Sequence, residues 1–352
     1  MLKRSPRNPI VTPEQVRPSR PGWQVDGTFN AGVVRFGEET ILLVRVAESI
    51  VATGPGELHV PVLAEGQGAW TCTTRGFRTD DPTWDFSDPR MVRSVADPRD
   101  VYLTSLSHLR LARSRDGETF VVDDAPFLFP ANRSERFGCE DARITPIEGR
   151  YYINYTAVSD LGIATALAVT DDFVRVERLG IIHAPDNRDV CLFPRRIDGS
   201  YWCLHRPAPL HLGRPEIWIA RSPDLLHWGQ HRHLAGHIPG GWEGNKIGGG
   251  AQMLETDRGW LQVYHGVDAD QRYSLGALLL DRDDPTIVRA RLVQPLAEPV
   301  EPYETTGFFD QVVFSCGALI DGDELKVYYG AADRVMALGS VALADLWAAM
   351  GV

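Results

Sequence analysis

CEDARITPIEGRYYINYTA, residues 139–157, combines a short apolar segment, a turn and a second segment that carries aromatic residues. Short β-branched and aromatic runs bounded by turn residues are typical of paired β-strands. The same unit recurs at 29–47, 86–107, 190–207, 247–266 and 312–331. Few stretches have a helical period, so the sequence predicts an all-β fold.

Six copies at a spacing of roughly fifty to sixty residues are typical of the four-stranded blades of a β-propeller. A second signature, an apolar strand that runs into an aspartate-containing turn, occurs at 112–120, 168–173, 220–228 and 279–288. Six copies of one signature against four of the other leave the number of blades open. One solution is that the first and last copies share a blade, which would close the ring by pairing the chain's ends. No linker or charge run marks a boundary, so we expect one domain over residues 1–352.

Composition excludes several classes of partner. The formal net charge of -11 gives no basic surface, which argues against nucleic acid or an anionic membrane as a partner. The first residues lack the apolar core of a signal peptide, and no apolar run is long enough to span a bilayer. We therefore expect a cytoplasmic protein. Five widely spaced cysteines without a C-x-x-C pair indicate free thiols, and the histidines do not cluster at ligand spacing, so no metal or organic cofactor is expected.

Charged residues lie at the starts of the repeats, which in a propeller line the central axis. Burying carboxylates and guanidiniums there is costly unless they pair or bind a ligand. They could be ion pairs that join blades, but their recurrence at equivalent positions favours a binding site. The set comprises Asn30, Asp88, Arg90, Glu140, Asp141, Arg143, Asp189 and Lys246.

The strand ends add a second set of polar and aromatic side chains. Aromatic rings suit the apolar face of a sugar, and neighbouring acids and bases suit its hydroxyls, although buried tyrosines are equally typical of a core. The set comprises Arg45, Tyr155, His205, Arg206, Tyr264, His265, Tyr329 and Asp333.

Glycoside cleavage by water ordinarily needs two carboxyl groups. In a phosphorolytic reaction phosphate is already a nucleophilic anion, so cationic groups that bind it replace the second carboxyl group. Lys246, Arg206, His205 and His265 are candidates, and the arginine fork matches phosphate well. No Walker-type nucleotide loop is present.

The ordered motifs of the chain resemble those of glycoside hydrolase family 130, the β-mannoside phosphorylases and related β-mannosidases. They cover nearly the whole sequence, from GTFNAGV, SDPR, ARSRDG and EDARIT through DNRDVCLFP, LHRP and SPDLLHW to KIGGG, GWLQVYHG, YETTGFF and VYYGAAD. The motifs are most similar to those of the β-1,2-mannobiose and mannooligosaccharide phosphorylases. The resemblance implies a five-bladed propeller and an inverting reaction that gives α-mannose 1-phosphate.

The resemblance also implies roles for individual residues. Asp141 of EDARIT matches the family's acid, which protonates the glycosidic oxygen through a hydroxyl of the mannose. By the same matching, Arg206, Lys246 and His265 would hold phosphate. The sugar site would be shaped by Asn30, Arg45, Asp88, Arg90, Arg143, Asp189 and Tyr264, to which the strand-end set adds His205 and Asp333.

Two other functions stay open at the level of sequence. In an inverting β-mannosidase Glu243 of WEGNKIGGG would be the base for water, facing Asp141 across a gap. A non-catalytic sugar-binding propeller is the third possibility, because a fold does not determine a function. The expected partners are a β-mannoside and inorganic phosphate, and the linkage, the acceptor sugar and a homo-oligomeric state are left undetermined.

Overall fold

Short β-branched and aromatic runs separated by turns form strands throughout residues 1–66 and 68–352, which the computed structural model describes. Strands β1 to β9 are Lys3–Arg4, Trp23–Phe36, Glu39–Ile50, Glu57–Gly66, Ala69–Arg78, Trp84–Asp85, Met91–Ser94, Val101–Leu103 and Ser105–Ser114. Strands β10 to β18 are Val121–Val122, Gly138–Ile147, Arg150–Ser159, Gly162–Thr170, Glu177–His183, Asn187–Leu192, Tyr201–Pro207, Ile217–Ser222 and Gly229–Ala235. Strands β19 to β26 are Lys246–Gly249, Leu254–Thr256, Gly259–Val267, Tyr273–Leu280, Val288–Arg291, Val313–Asp321, Glu324–Ala331 and Val335–Ala342.

Helical structure is minor. Helices α1 and α2 are Pro302–Thr305 and Leu343–Met350, and two 3-10 turns lie at Pro13–Gln15 and Arg133–Glu135. Among the described residues, no helix has the length and apolar character needed to cross a membrane. The all-β prediction is confirmed.

Apart from β4 to β8, the strands of the described residues form five antiparallel groups. They are β2-β3-β9-β10, β11 to β14, β15 to β18, β19-β21-β22-β23 with β20 at the side, and β24-β25-β26-β1. A single parallel pairing of Gly138 with Ser107 joins the first two groups into one hydrogen-bonded sheet.

The predicted repeat at 86–107 is wrong. Residues 84–103 form the separate small sheet β6-β7-β8, and β9 joins the group of the first repeat. Together with the hairpin β4-β5 this sheet forms an insert, residues 57–103, between β3 and β9. The insert is separate because its apolar side chains pack on one another, around Val60, Phe77, Val92 and Tyr102.

The chain's ends do pair, but not as predicted. Strand β1 lies beside β26, with Lys3 opposite Ser340 and Arg4 opposite Gly339. The first repeat stays with β9, so the first and last repeats do not share a sheet. The two residues of β1 alone add the fourth strand to the last group.

The first strand of each group is central to the molecule. Strand β2 packs against β11 and β24, β11 against β15, and β15 against β19. Apolar side chains fill the space between neighbouring groups, as where β21 and β22 meet β24 to β26 and α2. The fold therefore brings the starts of the five groups together.

Candidate active site

The first strands of three groups bulge at equivalent points. The pairing register shifts between Phe29 and Gly32 on β2, between Glu140 and Arg143 on β11, and between Arg188 and Cys191 on β15. Each bulge contains one residue in the left-handed region: Asn30 at φ 51°, Asp141 at 48° and Asp189 at 56°. Asparagine and aspartate tolerate that region better than other side chains do, and bulges commonly redirect side chains at active sites.

The bulges border a cavity of about 190 Å³. Its lining is strongly charged, and aromatic rings close one side. The lining residues are Asn30, Arg45, Arg90, Glu140, Asp141, Arg188, Asp189, Arg206, Lys246, His265, Tyr273, Phe309, Val312, Phe314 and Asp333.

Asp141 is held in position by two donors. Nδ2 of Asn30 donates to its Oδ1 at 3.0 Å, and a guanidinium nitrogen of Arg45 donates to the same oxygen at 3.1 Å. Arg45 also donates to Glu140 Oε1 at 2.8 Å and lies over the ring of Phe29, 4.6 Å from its centroid. Oδ2 of Asp141 makes no hydrogen bond with the described residues, so this oxygen is available to a ligand.

Two further carboxyl groups line the cavity beside Asp141. Burial raises the pKa of Asp333 to about 6; Arg45 opposes this increase, and the neighbouring Asp141 and Glu140 add to it. Burial also raises the pKa of Glu140, again against the attraction of Arg45. The carboxyl groups of Asp333 and Glu140 therefore retain protons more readily than isolated ones. With a pKa of about 6, Asp333 can exchange a proton near neutral pH.

A second cluster in the lining consists of cationic and hydrogen-bonding groups. Nε of Arg206 donates to Asp189 Oδ2 at 2.5 Å, and Nε2 of His265 lies 3.6 Å from the same oxygen. Nζ of Lys246 donates to the Tyr273 hydroxyl at 2.5 Å. Asp189 thus orients the arginine, the imidazole lies close by, and the lysine and tyrosine form a second pair.

The charges in this cluster follow from burial and from their neighbours. Burial would raise the pKa of Asp189, but the positive charges of Arg206 and Arg143 lower it below its ordinary value. Burial, with Arg206 nearby, lowers the pKa of Lys246 to about 8, so the amine is mostly cationic at neutral pH. Burial also lowers the pKa of His265 to about 3, so this imidazole is neutral.

Three buried polar atoms at the cavity have no hydrogen-bond partner among the described residues. They are Nε of Arg188, Nδ1 of His265 and Oδ1 of Asn30. Buried polar atoms are rarely left unpaired in native proteins. The cavity is therefore suited to a polar ligand with both donors and acceptors, such as a sugar together with an oxyanion.

The structure brings nine of the predicted site residues to this cavity and leaves five outside it. Inside are Asn30, Arg45, Arg90, Asp141, Asp189, Arg206, Lys246, His265 and Asp333. Outside are Asp88, Arg143, His205, Tyr264 and Glu243.

His205 and Tyr264 lie outside because neighbours on a strand point to opposite faces. His205 precedes Arg206 on β16, and its ring stacks on His183 with the centroids 4.7 Å apart. Tyr264 precedes His265 on β21 and is fully buried in a core cluster. In each pair the second residue lines the cavity and the first packs beneath the surface.

Glu243 is held away from Asp141. Its Oε2 accepts hydrogen bonds from the Tyr264 hydroxyl at 2.6 Å and from Arg291 at 2.5 Å, and its side chain is almost completely buried. Its position three residues before Lys246 makes it an anchor for the segment that leads into β19.

Arg143 lies beneath the cavity and Asp88 outside it. The guanidinium of Arg143 donates to the carbonyl oxygens of Asp141, Gly250 and Gly249 at 2.9, 2.9 and 3.0 Å. It therefore ties β11 to β19 and supports the site from below. Asp88 pairs with Arg90, whose guanidinium does line the cavity, so its effect on the site is indirect.

Sequence reasoning missed several lining residues. Arg188 and Tyr273 were not selected, although Arg188 directly precedes the bulged Asp189 within DNRDVCLFP. Phe309 lies in YETTGFF, which was used only as a family motif, and Glu140 was noted at a repeat start without a role. Nothing in the pattern around Tyr273 distinguishes it from a core tyrosine.

Comparison with known proteins places the chain in a family. A family model for glycoside hydrolase family 130, described as beta-1,4-mannooligosaccharide phosphorylase, matches residues 99–350. The chain belongs to glycoside hydrolase family 130. The relationship predicted from its motifs is confirmed.

Several relatives of high similarity are named as phosphorylases. A beta-1,2-mannobiose phosphorylase of Listeria innocua is 48% identical over 337 residues, which cover 96% of this chain and 94% of that protein. A 1,2-beta-oligomannan phosphorylase of a Thermoanaerobacter species is 37% identical over 252 residues, covering 71% and 83%. The solved structure of beta-1,2-mannobiose phosphorylase from Listeria innocua in complex with beta-1,2-mannobiose covers 99% of both chains, with 45% identity and a TM-score of 0.93.

Proposed function

We infer that this family 130 chain is a glycoside phosphorylase that cleaves β-1,2-linked mannosides with inorganic phosphate. One observation carries the inference: a fixed carboxylate, Asp141, and a cluster of Arg206, Lys246 and His265 line the same small cavity. The similarity to beta-1,2-mannobiose phosphorylase over nearly the full length of both chains supports the β-1,2 linkage.

In the proposed reaction the cavity holds the mannosyl unit between the acid and the anion. A phosphate oxygen attacks the anomeric carbon while the bond to the glycosidic oxygen breaks. The departing oxygen takes a proton from Asp141, relayed through a hydroxyl of the mannose, whose own proton moves to the leaving group. Attack opposite to the leaving group inverts the anomeric carbon and gives α-mannose 1-phosphate and a shortened sugar.

The cationic cluster is suited to a phosphate dianion. Arg188 and Arg206 supply guanidinium donors, Lys246 adds a charge, and His265 and Tyr273 add neutral donors. Asp189 lies among them and keeps the Arg206 fork in one orientation. The ionised Asp189 also offsets part of the positive charge, which allows phosphate to bind and the sugar phosphate to leave.

The position of Glu243 supports phosphorolysis rather than hydrolysis. An inverting hydrolase needs a carboxylate across the sugar from the acid, with room for water between them. Glu243 is occupied by Tyr264 and Arg291 and does not line the cavity. The lining instead carries the cations Arg188, Arg206 and Lys246, which favour an anionic nucleophile.

The leaving sugar has a separate space. An adjoining cavity of about 330 Å³ shares Arg45, Arg90, Glu140, Phe309 and Asp333 with the catalytic cavity. Most of its remaining lining is apolar: Phe29, Met91, Leu103, Val158, Ile163 and Phe308. Apolar rings with a few polar groups suit a second pyranose ring.

We also propose that the five strand groups are the blades of one propeller over residues 1–352. The contacts among β2, β11, β15, β19 and β24 and the pairing of β1 with β26 support this arrangement. A cytoplasmic location and a reaction without any cofactor beyond phosphate stay predictions. Retention of a charged sugar phosphate inside the cell would fit the location.

Turnover of β-1,2-mannobiose with and without phosphate tests the proposed function. We expect mannose 1-phosphate only when phosphate is present. Asp141→Asn should lower kcat by about 10²- to 10⁴-fold, the usual contribution of a general acid. Free mannose formed at the same rate without phosphate would instead assign a hydrolase, and no turnover of any β-mannoside would favour a sugar-binding protein.

A further inference from the structure

Three tyrosines of the predicted strand-end set do not line the catalytic cavity. They are Tyr155, Tyr264 and Tyr329, and each lies on the strand that pairs with the first strand of its group. All three are at most 1% exposed. Each hydroxyl donates to a buried glutamate at 2.6 or 2.7 Å, and the acceptors, in the same order, are Glu135, Glu243 and Glu304. The second, fourth and last groups therefore contain the same contact.

An arginine on the fourth strand of the group completes each contact. Donors to the same three glutamates, at 3.2, 2.5 and 2.7 Å, are Arg178 on β14, Arg291 on β23 and Arg4 on β1. Each guanidinium also donates to a carbonyl oxygen earlier in the loop that carries its glutamate, and these oxygens belong to Phe129, Gly236 and Glu298. Each Tyr–Glu–Arg cluster thus fixes the loop before the first strand of a group to two other strands of that group.

The cluster of the fourth group is joined to two side chains of the phosphate cluster. Lys246 follows Glu243 by three residues, and His265 directly follows Tyr264 on β21. Lys246 and His265 line the catalytic cavity, whereas Glu243, Tyr264 and Arg291 do not. A change in this Tyr–Glu–Arg cluster would therefore reach a bound anion through its two neighbours.

The loop that carries Glu243 packs tightly against β21. A Cβ at Gly266 would lie 2.5 Å from Glu243 Cβ and 2.6 Å from the Trp242 ring, so the strand lies directly against the loop. The Asn245 amide also donates to the Val267 carbonyl at 2.8 Å. A displacement of Glu243 is therefore transmitted both to the following lysine and to the histidine of β21.

We propose that Glu243 is a positioning residue for phosphate. Through its cluster it holds Lys246 and His265 in the geometry that the anion requires. The proposal rests on the proposed function, because it takes these two side chains as part of the phosphate site. The equivalent glutamates, Glu135 and Glu304, stabilise the fold and do not affect the affinity for phosphate.

The charge of Glu243 is essential to this arrangement. Both of its hydrogen bonds are accepted by the same oxygen, and one of them comes from a cation, Arg291. Removing one partner of a buried ion pair leaves an uncompensated charge, which is unstable away from water. In Glu243→Gln the Arg291 guanidinium would therefore shift toward solvent and release the Gly236 carbonyl at the start of the loop.

The sugar side of the cavity is separate from this cluster. Asn30 and Asp141 lie on the first strands of the first two groups, and Asp333 follows β25 in the last group. None of the three side chains of the fourth group's cluster lines the catalytic cavity or the cavity for the leaving sugar. A positioning defect should therefore appear in KM for phosphate and not in KM for the mannoside.

Glu243→Gln and Glu304→Gln are the matched pair of variants. Both glutamates are buried, and both accept from a tyrosine hydroxyl and an arginine. The tyrosine bound to Glu304, however, is followed by Gly330, which has no side chain to offer a ligand. Tyr264→Phe and Tyr329→Phe form a milder pair, which removes one hydroxyl and leaves each ion pair intact.

Initial rates with β-1,2-mannobiose and varied phosphate give both KM values and kcat. We expect KM for phosphate to rise at least about tenfold in Glu243→Gln, because the anion loses well-directed contacts from two donors, while KM for mannobiose stays unchanged. Tyr264→Phe should show a smaller increase in KM for phosphate, and it decides alone if Glu243→Gln does not fold. Glu304→Gln and Tyr329→Phe should lower the melting temperature without changing either KM.

Three kinetic outcomes would overturn the proposal. The first is an unchanged KM for phosphate in Glu243→Gln and Tyr264→Phe. The second is an equal rise in Glu304→Gln, which would make the effect one of stability alone. The third is a parallel rise in KM for mannobiose, which would indicate a general loosening of the site.

Calorimetry of phosphate binding without sugar separates this proposal from the proposed function. Wild type and Glu304→Gln should bind phosphate more tightly than Glu243→Gln, by a factor similar to the change in KM. Failure of phosphorolysis in wild type would contradict the proposed function, while this comparison would still decide the role of Glu243. If wild type itself did not bind phosphate, the positioning role would be overturned as well.

Discussion

At the residue scale, the site depends on aspartates whose pKa values differ because their neighbours differ. Asp189 is surrounded by cations and stays ionised, whereas Asp333 is buried among carboxyl groups and its pKa rises to about 6. Burial lowers the pKa of Lys246 to about 8, which favours the neutral form of this amine as well. Near pH 7 Lys246 is mostly cationic, as phosphate binding requires, and Asp333 is mostly ionised.

The pH dependence of phosphate use should follow Lys246. Its pKa of about 8 means that the cation is present below this pH and is lost as the pH rises through it. We expect kcat/KM for phosphate, which reports the free enzyme, to decline above about pH 8. In Lys246→Arg the charge persists well above this pH, so the decline should disappear. An unchanged inflection in that variant would assign the titration to another group.

At the element scale, the glycine end of β19 supports the phosphate cluster by having no side chains. Gly248 and Gly249 are followed by Gly250, and the strand lies directly against Asp189 and the side chains around it. The Arg143 guanidinium donates to two carbonyl oxygens of this run, those of Gly250 and Gly249. Glycine is needed here for close approach rather than for an unusual backbone conformation.

Gly248→Ala should therefore impair phosphate binding. The added Cβ would lie 2.6 Å from His265 Cε1 and 2.7 Å from Arg206 Nε, closer than real Cβ atoms come. We expect KM for phosphate to rise at least about tenfold, because a displaced Arg206 fork loses its paired contacts. Gly229→Ala is the control, since no heavy atom lies within 4 Å of a Cβ there. Equal kinetics in the two variants would show that the close approach does not matter.

At the scale of the whole molecule, the last strand group depends on the first residues of the chain. Leu2 is 5% exposed and packs in the core cluster that joins the last two groups. Arg4 forms an ion pair with the buried Glu304, which also accepts a hydrogen bond from Tyr329. These contacts link residues separated by about the full length of the chain.

Leu2→Ala should destabilise the protein by about 2–5 kcal/mol, the usual cost of truncating a buried leucine. Denaturant unfolding followed by tryptophan fluorescence would measure the change. Lys3→Ala, an exposed position on β1, should change the free energy of unfolding by less than about 0.5 kcal/mol. If Leu2→Ala were as mild as Lys3→Ala, the end-to-end contact would add little to stability.

Sequence reasoning succeeded where a local pattern carries the information. Alternating runs with turns predicted the strands, because side-chain periodicity and turn residues act over a few positions. The prediction of a repeat at 86–107 was wrong, because the apolar pattern does not indicate which strands pair. The insert has its own small core, and only contacts between distant residues reveal it.

The candidate site shows the same division. The sequence by itself determined the family, the all-β class and a set of candidate site residues at the repeat starts and strand ends, nine of which line the cavity. Only the tertiary structure decided which of two strand neighbours, His205 or Arg206, points inward, and that Arg188 and Tyr273 join them. The physical reason is that the chemistry of the site depends on distances between side chains of different strands. Bulges and packing determine these distances, and the spacing of residues along the chain does not predict them.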